Sequence, residues 1–218
     1  TTPATFEYTG KTESSRSVEI RARVEGYLDK IVYEEGAMVR TGQLLFQLDP
    51  QPFQAALDNA RGDLARAEAQ LANARATLAR VRPLAKENAV SQKDLDDAVA
   101  AEHSAQAQVQ SAKAQARTAE LNLGYTRIKS PLGGLAGKSE FREGSLITPG
   151  ANSLLTTVVQ LDPIWVNFGI GENELLRLRS EAAAGRLKGP GIDKLEVELV
   201  QADGSVFPQK GRITFVSP

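Results

Sequence analysis

Side chains able to make or break covalent bonds are scarce in this chain and badly spaced for the task. Cysteine is absent, which excludes disulfides, thiol catalysis and Cys-ligated zinc. His103 is the single histidine, so a Ser-His triad or a His-based metal site has no material. Asp96 and Asp97 are adjacent, and adjacent residues on a helix point to different sides, so they make no paired-carboxylate site. Gly133-Gly134 lacks the strand-to-helix context of a phosphate loop and reads as a β turn. The sequence predicts a non-enzyme with no cofactor and no metal. What it offers is contact chemistry. Arg80 is a fork of donors suited to backbone carbonyls or carboxylates, Leu84 an apolar knob, and Ser91 a small hydroxyl at a helix start. On spacing alone a plainer reading also stands, in which Arg80 is solvated, Leu84 closes a seam and Ser91 only caps.

The elements that carry these three residues follow from periodicity. Leu57, Leu64, Leu71 and Leu78 fall seven apart, with Ala85 continuing the row. Ala60, Ala67, Ala74 and Val81 form a second row three residues behind. Leu95, Val109, Ala116 and Leu123, with Ala98, Ala105, Ala112 and Ala119, repeat the pattern, interrupted by Glu102. Two apolar rows held at heptad spacing predict a coiled-coil seam, and alanine in one row lets the helices approach closely. Asp49 is the expected cap of the first helix, with Pro50 or Pro52 in its first turn. Ser91-Gln92-Lys93-Asp94 reads as a capping box opening the second, and Gly124 as the glycine that stops it. Some 31 residues per helix make a rod of roughly 45–50 Å. Pro83 to Val90 serves only to reverse direction, so residues 51–123 are an antiparallel α-helical coiled-coil hairpin. Nine basic and nine acidic residues are interspersed along it, as on a solvated outer face. His103 falls outside the seam and is expected in solvent; which Gln, Asn and Arg side chains bond to another protomer stays open.

This helical block interrupts a β-rich chain that contains an internal repeat. Glycines at Gly26, Gly36 and Gly42 precede Leu48-Asp49-Pro50; Gly134, Gly144 and Gly150 precede Leu161-Asp162-Pro163. Spacings of ten and then six recur, and Glu35 and Glu143 each precede the middle glycine. Neither half has enough apolar surface to fold alone. Packed face to face, the halves make one small β-sandwich split by the hairpin. Farther on, Ile164, Val166, Phe168 and Ile170 alternate as a strand, with Trp165 expected in packing. Leu175, Leu176 and Leu178 sit on a short helix ending near Gly185. Leu195, Val197 and Leu199 alternate before an Asp203-Gly204 turn and Val206, Phe207, Ile213 and Phe215. Phe6, Tyr8 and Val18 add another strand, and the set reads as an antiparallel β-barrel built from both ends of the chain, incomplete at Pro218 and so expected to be truncated.

Composition narrows the partners. The formal net charge of −1 gives no electrostatic reason to bind nucleic acid. No apolar run nears the roughly 20 residues of a membrane helix, and Thr1-Thr2-Pro3-Ala4 is no signal segment, so a processed or trimmed start is expected.

With these residues in place, the chain resembles the periplasmic adaptor subunits, or membrane fusion proteins, of tripartite RND-type multidrug efflux pumps. The resemblance covers nearly all of it. Val24-Glu25-Gly26-Tyr27-Leu28 to Leu48-Asp49-Pro50, and Tyr125-Thr126-Arg127-Ile128-Lys129-Ser130-Pro131 to Leu161-Asp162-Pro163, are similar to the two halves of the family's lipoyl-like domain. The hairpin interrupts that domain at the family's insertion point. Arg80, Leu84 and Ser91 match the family's Arg-x3-Leu-x6-Ser tip motif, implicated in docking the outer-membrane channel. The resemblance implies an α+β architecture: hairpin 51–123, lipoyl-like domain 17–50 and 124–161, and an incomplete β-barrel domain 1–16 and 162–218. The family's membrane-proximal domain is absent from it. It further implies an adaptor in the periplasm of a Gram-negative bacterium, anchored to the inner membrane by a lipid-bearing Cys that this sequence lacks. The implied partners are an inner-membrane RND proton-driven transporter and a TolC-like outer-membrane channel, with self-association into a hexamer that seals an efflux conduit. Pro83 inside the tip departs from a straight helix. The glycines at 133–137 and the loops near Asp49 and Leu161 are expected hinges.

Three rivals remain at this level. A true lipoyl or biotinyl carrier presents a modifiable Lys at the turn joining its halves; here the hairpin occupies that turn, and Lys30, after Asp29, lies inside the first half. A bare coiled-coil spacer needs no split repeat. Service to an ABC exporter or a metal pump is the alternative within the family, and a soft-metal pump would want Met or His clusters where this chain has Met38 and His103 alone.

Overall fold

The computed structural model describes residues 5–150, 153–185 and 196–215. Expectations placed on Thr1–Ala4, Leu195 and Pro218 lie outside the described residues. The chain divides into two compact units, residues 12–165 and residues 1–11 with 166–218.

The larger unit joins a β-sandwich to the helical hairpin. Its strands are β1 (Gly10–Arg21, begun in the smaller unit), β2 (Gly26–Ile31), β3 (Met38–Val39), β4 (Leu44–Leu48), β5 (Arg127–Lys129), β6 (Gly134–Ala136), β7 (Leu146–Ile147) and β8 (Leu154–Phe168, ending in the smaller unit). One sheet has the order β1-β8-β6-β3 and the other β5-β4-β2-β7. Each sheet therefore takes two strands from either side of the hairpin, so neither half of the repeat forms a sheet by itself. The glycine repeat explains the order. Gly26, Gly36 and Gly42 each lie 108 positions before Gly134, Gly144 and Gly150. That offset carries β2 onto β6 and β3 onto β7, with β4 matching β8 and β1 matching β5, which turns one sheet order into the other.

The repeat extends to single hydrogen bonds. The Glu143 carboxylate accepts from the Ile31 N–H at 2.9 Å, and the Glu35 carboxylate accepts from the Ser139 N–H at 2.9 Å, the same bond one repeat later. Gly36 N–H donates to Ala136 O at 2.9 Å while Gly144 N–H donates to Leu28 O at 2.8 Å. Gly36 and Gly144 have φ of 78° and 87°, the left-handed region that glycine enters without a Cβ clash. The core between the sheets is Leu28, Leu45, Phe46, Leu48, Ala136, Ile147, Leu155 and Val158, all fully buried. Fully burying a Leu or Phe side chain is worth about 1.5–3 kcal/mol. Leu45 and Phe46 point inward although consecutive, because a register shift between Leu44 and Phe46 on the β4–β5 ladder breaks the alternation. Gly134 is no turn but opens β6, and the bend falls at Pro131 and Leu132. A Cβ there would stand 2.2 Å from Val159 O, so β6 is pressed against β8 and the expected hinge at 133–137 is a packed strand instead.

The hairpin consists of α1 (Gln51–Lys86) and α2 (Gln92–Tyr125), antiparallel between β4 and β5. At 36 and 34 residues both exceed the expected length, giving a rod of about 50 Å. Every seam position is buried or half-buried, with Leu57, Ala67, Leu71 and Leu78 facing Ala98, Ala105, Ala112 and Ala116 in the most enclosed stretch. Glu102 follows the same rule: it stands half-buried in the seam, where Arg75 Nε donates to it at 3.0 Å across the helix pair. Arg75 Nη2 also donates to Gln106 Oε1 at 2.6 Å, so this arginine serves the hairpin's own register.

Both ends of the helices differ in detail from expectation. Pro50, not Asp49, is the first cap; the Asp49 carboxylate still accepts the Gln51 N–H at 3.0 Å. Gly124 lies inside α2, which ends at the Thr126 cap, because the Thr126 hydroxyl donates to Leu123 O at 2.7 Å and closes the last turn without a left-handed residue. Leu48 N–H donates to Thr126 O at 2.9 Å, tying the hairpin base to the sheet. Arg23 lies 5.2 Å from the centre of the Tyr125 ring.

In the smaller unit, Tyr8 stacks on Phe168 at 5.8 Å although neither Phe6 nor Tyr8 is in a strand. Helix α3 (Glu172–Ala183) ends before Gly185, whose φ is 72°. Strand β9 (Glu196–Val197) pairs with β10 (Gly211–Arg212), and Lys210 Nζ bridges Glu196 at 2.8 Å and Glu198 at 3.3 Å. The Asp203-Gly204 turn forms, with the Ser205 N–H donating to Asp203 Oδ1 at 2.9 Å. Ile213 and Phe215 lie beyond the short β10. Trp165, at the edge of the larger unit, is 53 % exposed and not packed as expected. The fold class is α+β: a coiled-coil hairpin inserted in a split sandwich, with further antiparallel strands.

Candidate partner-docking site

The far end of the hairpin gathers the three residues singled out by sequence. Arg80 and Leu84 lie one helical turn apart on α1, a spacing that puts both on one side of the helix. Pro83 sits between them inside the helix, which runs on to Lys86. Beyond the proline the bonding continues: Glu87 N–H donates to Pro83 O at 3.2 Å and Ala89 N–H to Leu84 O at 2.9 Å, winding the chain on to the reversal. Asn88 then takes φ of 59°, and Ser91 caps α2. The reversal spans residues 87–91 and is shorter than the sequence suggests.

Each tip side chain has a defined state. Arg80 is exposed and its Nη2 donates to the Thr77 hydroxyl at 3.3 Å, leaving most of its donors to solvent. Leu84 is 42 % exposed, so it does not simply close the seam. Ser91 is engaged on both counts of its hydroxyl. It donates to Asp94 Oδ2 at 2.6 Å and accepts the Asp94 N–H at 3.2 Å, while Asp94 Oδ2 also takes the Ser91 N–H at 3.1 Å. The capping box is complete although Asp is shorter than the usual Glu. One acceptor lone pair of the Ser91 hydroxyl remains open. The Ser91 hydroxyl, and then its backbone N–H, hold the Asp94 carboxyl below its ordinary 3.8. Arg82 and Lys86 add positive charge near the end of α1, where the helix dipole favours it.

Sequence reasoning missed Thr77 and Asn88. No motif marks Thr77; its place one turn before Arg80 was the available signal. Asn88 was legible in type, since Asn tolerates the left-handed region better than most residues. The carrier reading finds less support. Lys30 lies in β2 opposite Gln47, at a register shift within the ladder and not in a turn. Among the described residues no group of His, Cys, Asp and Glu is placed to hold a metal ion, and no helix is long and apolar enough to cross a membrane.

Comparison with known proteins agrees with this geometry. The family model described as the RND MFP α-helical hairpin domain matches residues 56–126. Over 211 residues the chain is 40 % identical to "Multidrug efflux pump subunit AcrA" of Escherichia coli K12, covering 97 % of this chain and 53 % of that protein. It is 39 % identical over 219 residues to "Efflux pump periplasmic linker BepD" of Brucella suis, covering 99 % and 54 %. The chain thus spans about half the length of these curated relatives. Among solved structures, MacA from Actinobacillus actinomycetemcomitans superposes with a TM-score of 0.66 at 26 % identity, covering 78 % of this chain and 57 % of that one. Split sandwich, inserted heptad hairpin and relatives converge: the chain belongs to the RND-type membrane fusion protein family.

Proposed function

We propose that this chain is the hairpin-bearing part of a periplasmic adaptor that joins an inner-membrane RND proton-driven drug transporter to a TolC-like outer-membrane channel. The observation that supports this reading is that Arg80, Leu84 and Ser91 stand exposed at the far end of a rod rooted in the sandwich. A rod stiffened by a close-packed seam transmits position over its length, and its free end is the natural meeting point for a second body. In the assembled pump the sandwiches of several copies, six in the family arrangement, form a ring, and the hairpins gather into a funnel that meets the channel. The protein then works in the periplasm of a Gram-negative bacterium, held at the inner membrane, and the transporter selects the cargo. Residues 51–123, 17–50 with 124–161, and 1–16 with 162–218 serve as its hairpin, lipoyl-like and barrel modules.

Arg80→Asp in the chromosomal gene tests the docking role. The substitution reverses the charge at an exposed helix position, so helicity and thermal unfolding should stay at the wild-type level. Drug resistance and co-purification with the channel should be lost. Full resistance in the variant would remove Arg80 from the docking set.

A further inference from the structure

Two cations of the hairpin tip lie outside the contact set described above. Arg82 and Lys86 stand one helical turn apart on α1, both exposed. Two residues along a helix make about 200° of rotation. Arg82 therefore lies across the seam row from Arg80, and Lys86 across it from Leu84, with half-buried Val81 and Ala85 between the flanks. One edge of the tip carries an arginine and a leucine; the other carries two cations.

The chain itself leaves these charges unanswered. Arg61, Arg66, Arg75 and Lys93 each pair with a carboxylate in the hairpin. Among the described residues Arg82 and Lys86 have no ion pair and no hydrogen-bonded partner. Asp94, Asp96 and Asp97, which open α2, are each held by a side chain three or four positions before them: Ser91, Gln92 and Lys93. Glu87, the C-cap residue beside Lys86, pairs with neither cation. The helix dipole favours a cation in the last turn, which covers Lys86. Arg82 stands a turn farther back, and like charges at this spacing repel. Pro83 adds an acceptor to the same edge. It has no N–H to offer the Ala79 carbonyl four residues back, and exposed Ala79 lies three residues before Arg82, on its flank. Lys113 and Arg117 are also unpaired, but they lie nearer the hairpin base with no freed carbonyl beside them.

We infer that the Arg82–Lys86 edge is a second docking edge, and that its occupant is the acidic first turn of a helix in the partner that meets the tip. Such a turn offers carboxylates to the two cations. Its backbone N–H groups, unpaired at a helix start, suit the Ala79 carbonyl. Arg82 can hold a carboxylate through two parallel N–H donors, and Lys86 acts as a point charge. The inference rests on the adaptor reading and adds the chemistry of the surface that the tip meets. Neither cation belongs to the Arg-x3-Leu-x6-Ser motif.

A carbodiimide, which joins an amine to a carboxylate in direct contact, tests this in isolated envelopes of cells producing the full-length adaptor and its outer-membrane channel. Mass spectrometry should find Lys86 coupled to an Asp or Glu in the first turn of a channel helix, and Lys86→Gln should remove the product. Arg82→Glu together with Lys86→Glu should lower recovery of the channel several-fold at low salt and flatten its salt dependence. Helicity should stay at the wild-type level, since both positions are exposed. Lys86 coupled only to another copy of this chain, coupled to a carboxylate away from a helix start, or uncoupled while the channel co-purifies overturns the assignment. Undiminished recovery with the reversed pair does the same. Wild-type protein that recovers no channel at all sinks the adaptor reading, and the edge with it, so the two failures are distinguishable.

Discussion

Individual residues here are constrained by what lies within a few ångströms of their backbone. Gly134 has room for no Cβ, since one would meet Val159 O at 2.2 Å, whereas Gly62 in α1 has nothing within 4 Å. Gly134→Ala should therefore lose about 1–3 kcal/mol of stability by forcing β6 from β8, read as a lower urea midpoint. Gly62→Ala should gain roughly 0.5–1 kcal/mol by helix propensity. Ser91 is the cap of α2. Ser91→Ala should cost about 1 kcal/mol from loss of the cap. Its pH dependence has a defined sign. The Asp94 carboxyl titrates below its ordinary 3.8 when folded, so its contribution is present above that value and fades as pH falls through the folded one. The stability gap between wild type and Ser91→Ala should stay constant from neutral to mildly acidic pH and narrow below about pH 4.

At the scale of elements, two devices hold the molecule in register. The Glu35 and Glu143 struts join the repeats at symmetry-related points, each on a backbone N–H of the other half. Glu35→Ala and Glu143→Ala should each cost about 1 kcal/mol by leaving that N–H unpaired, and the double variant should lose close to the sum because the sites share no partner. Unequal losses measured by chemical denaturation would show that the internal symmetry is topological only. In the hairpin, the polar pair of Arg75 and Glu102 fixes which turn of α1 faces which turn of α2, a task the uniform alanine rows cannot perform. Arg61 and Glu120, 3.8 Å apart and exposed, lie nearer the base and add little.

For the whole molecule, the distance from sandwich to tip is the quantity that the adaptor reading makes functional. Removing one heptad from each helix, residues 64–70 and 110–116, preserves both seam rows and shortens the rod by about 10 Å. The shortened protein should remain helical and unfold cooperatively. Export in cells should nevertheless fall to the level of a strain lacking the protein, because the tip no longer reaches its partner. Normal drug resistance with the short rod would mean that reach is not what the hairpin supplies.

Heptad rows, the glycine repeat and the Ser91 capping box were legible in sequence because each depends on neighbours at short, regular spacing. Periods of seven, ten and six survive as written, so the hairpin, the split sandwich and the position of Arg80, Leu84 and Ser91 could be read from the chain. Three matters were settled only by tertiary contact. Gly124 looked like a stop until Thr126, held by the bond from Leu48, closed the helix two residues later. Glu102 looked like a break in the seam until the opposite helix supplied Arg75. The glycines at 133–137 looked like a hinge until β8 was laid against them. In each case the deciding atom lies far along the chain or on another element. Local propensity carries no record of it, whereas packing leaves no other solution.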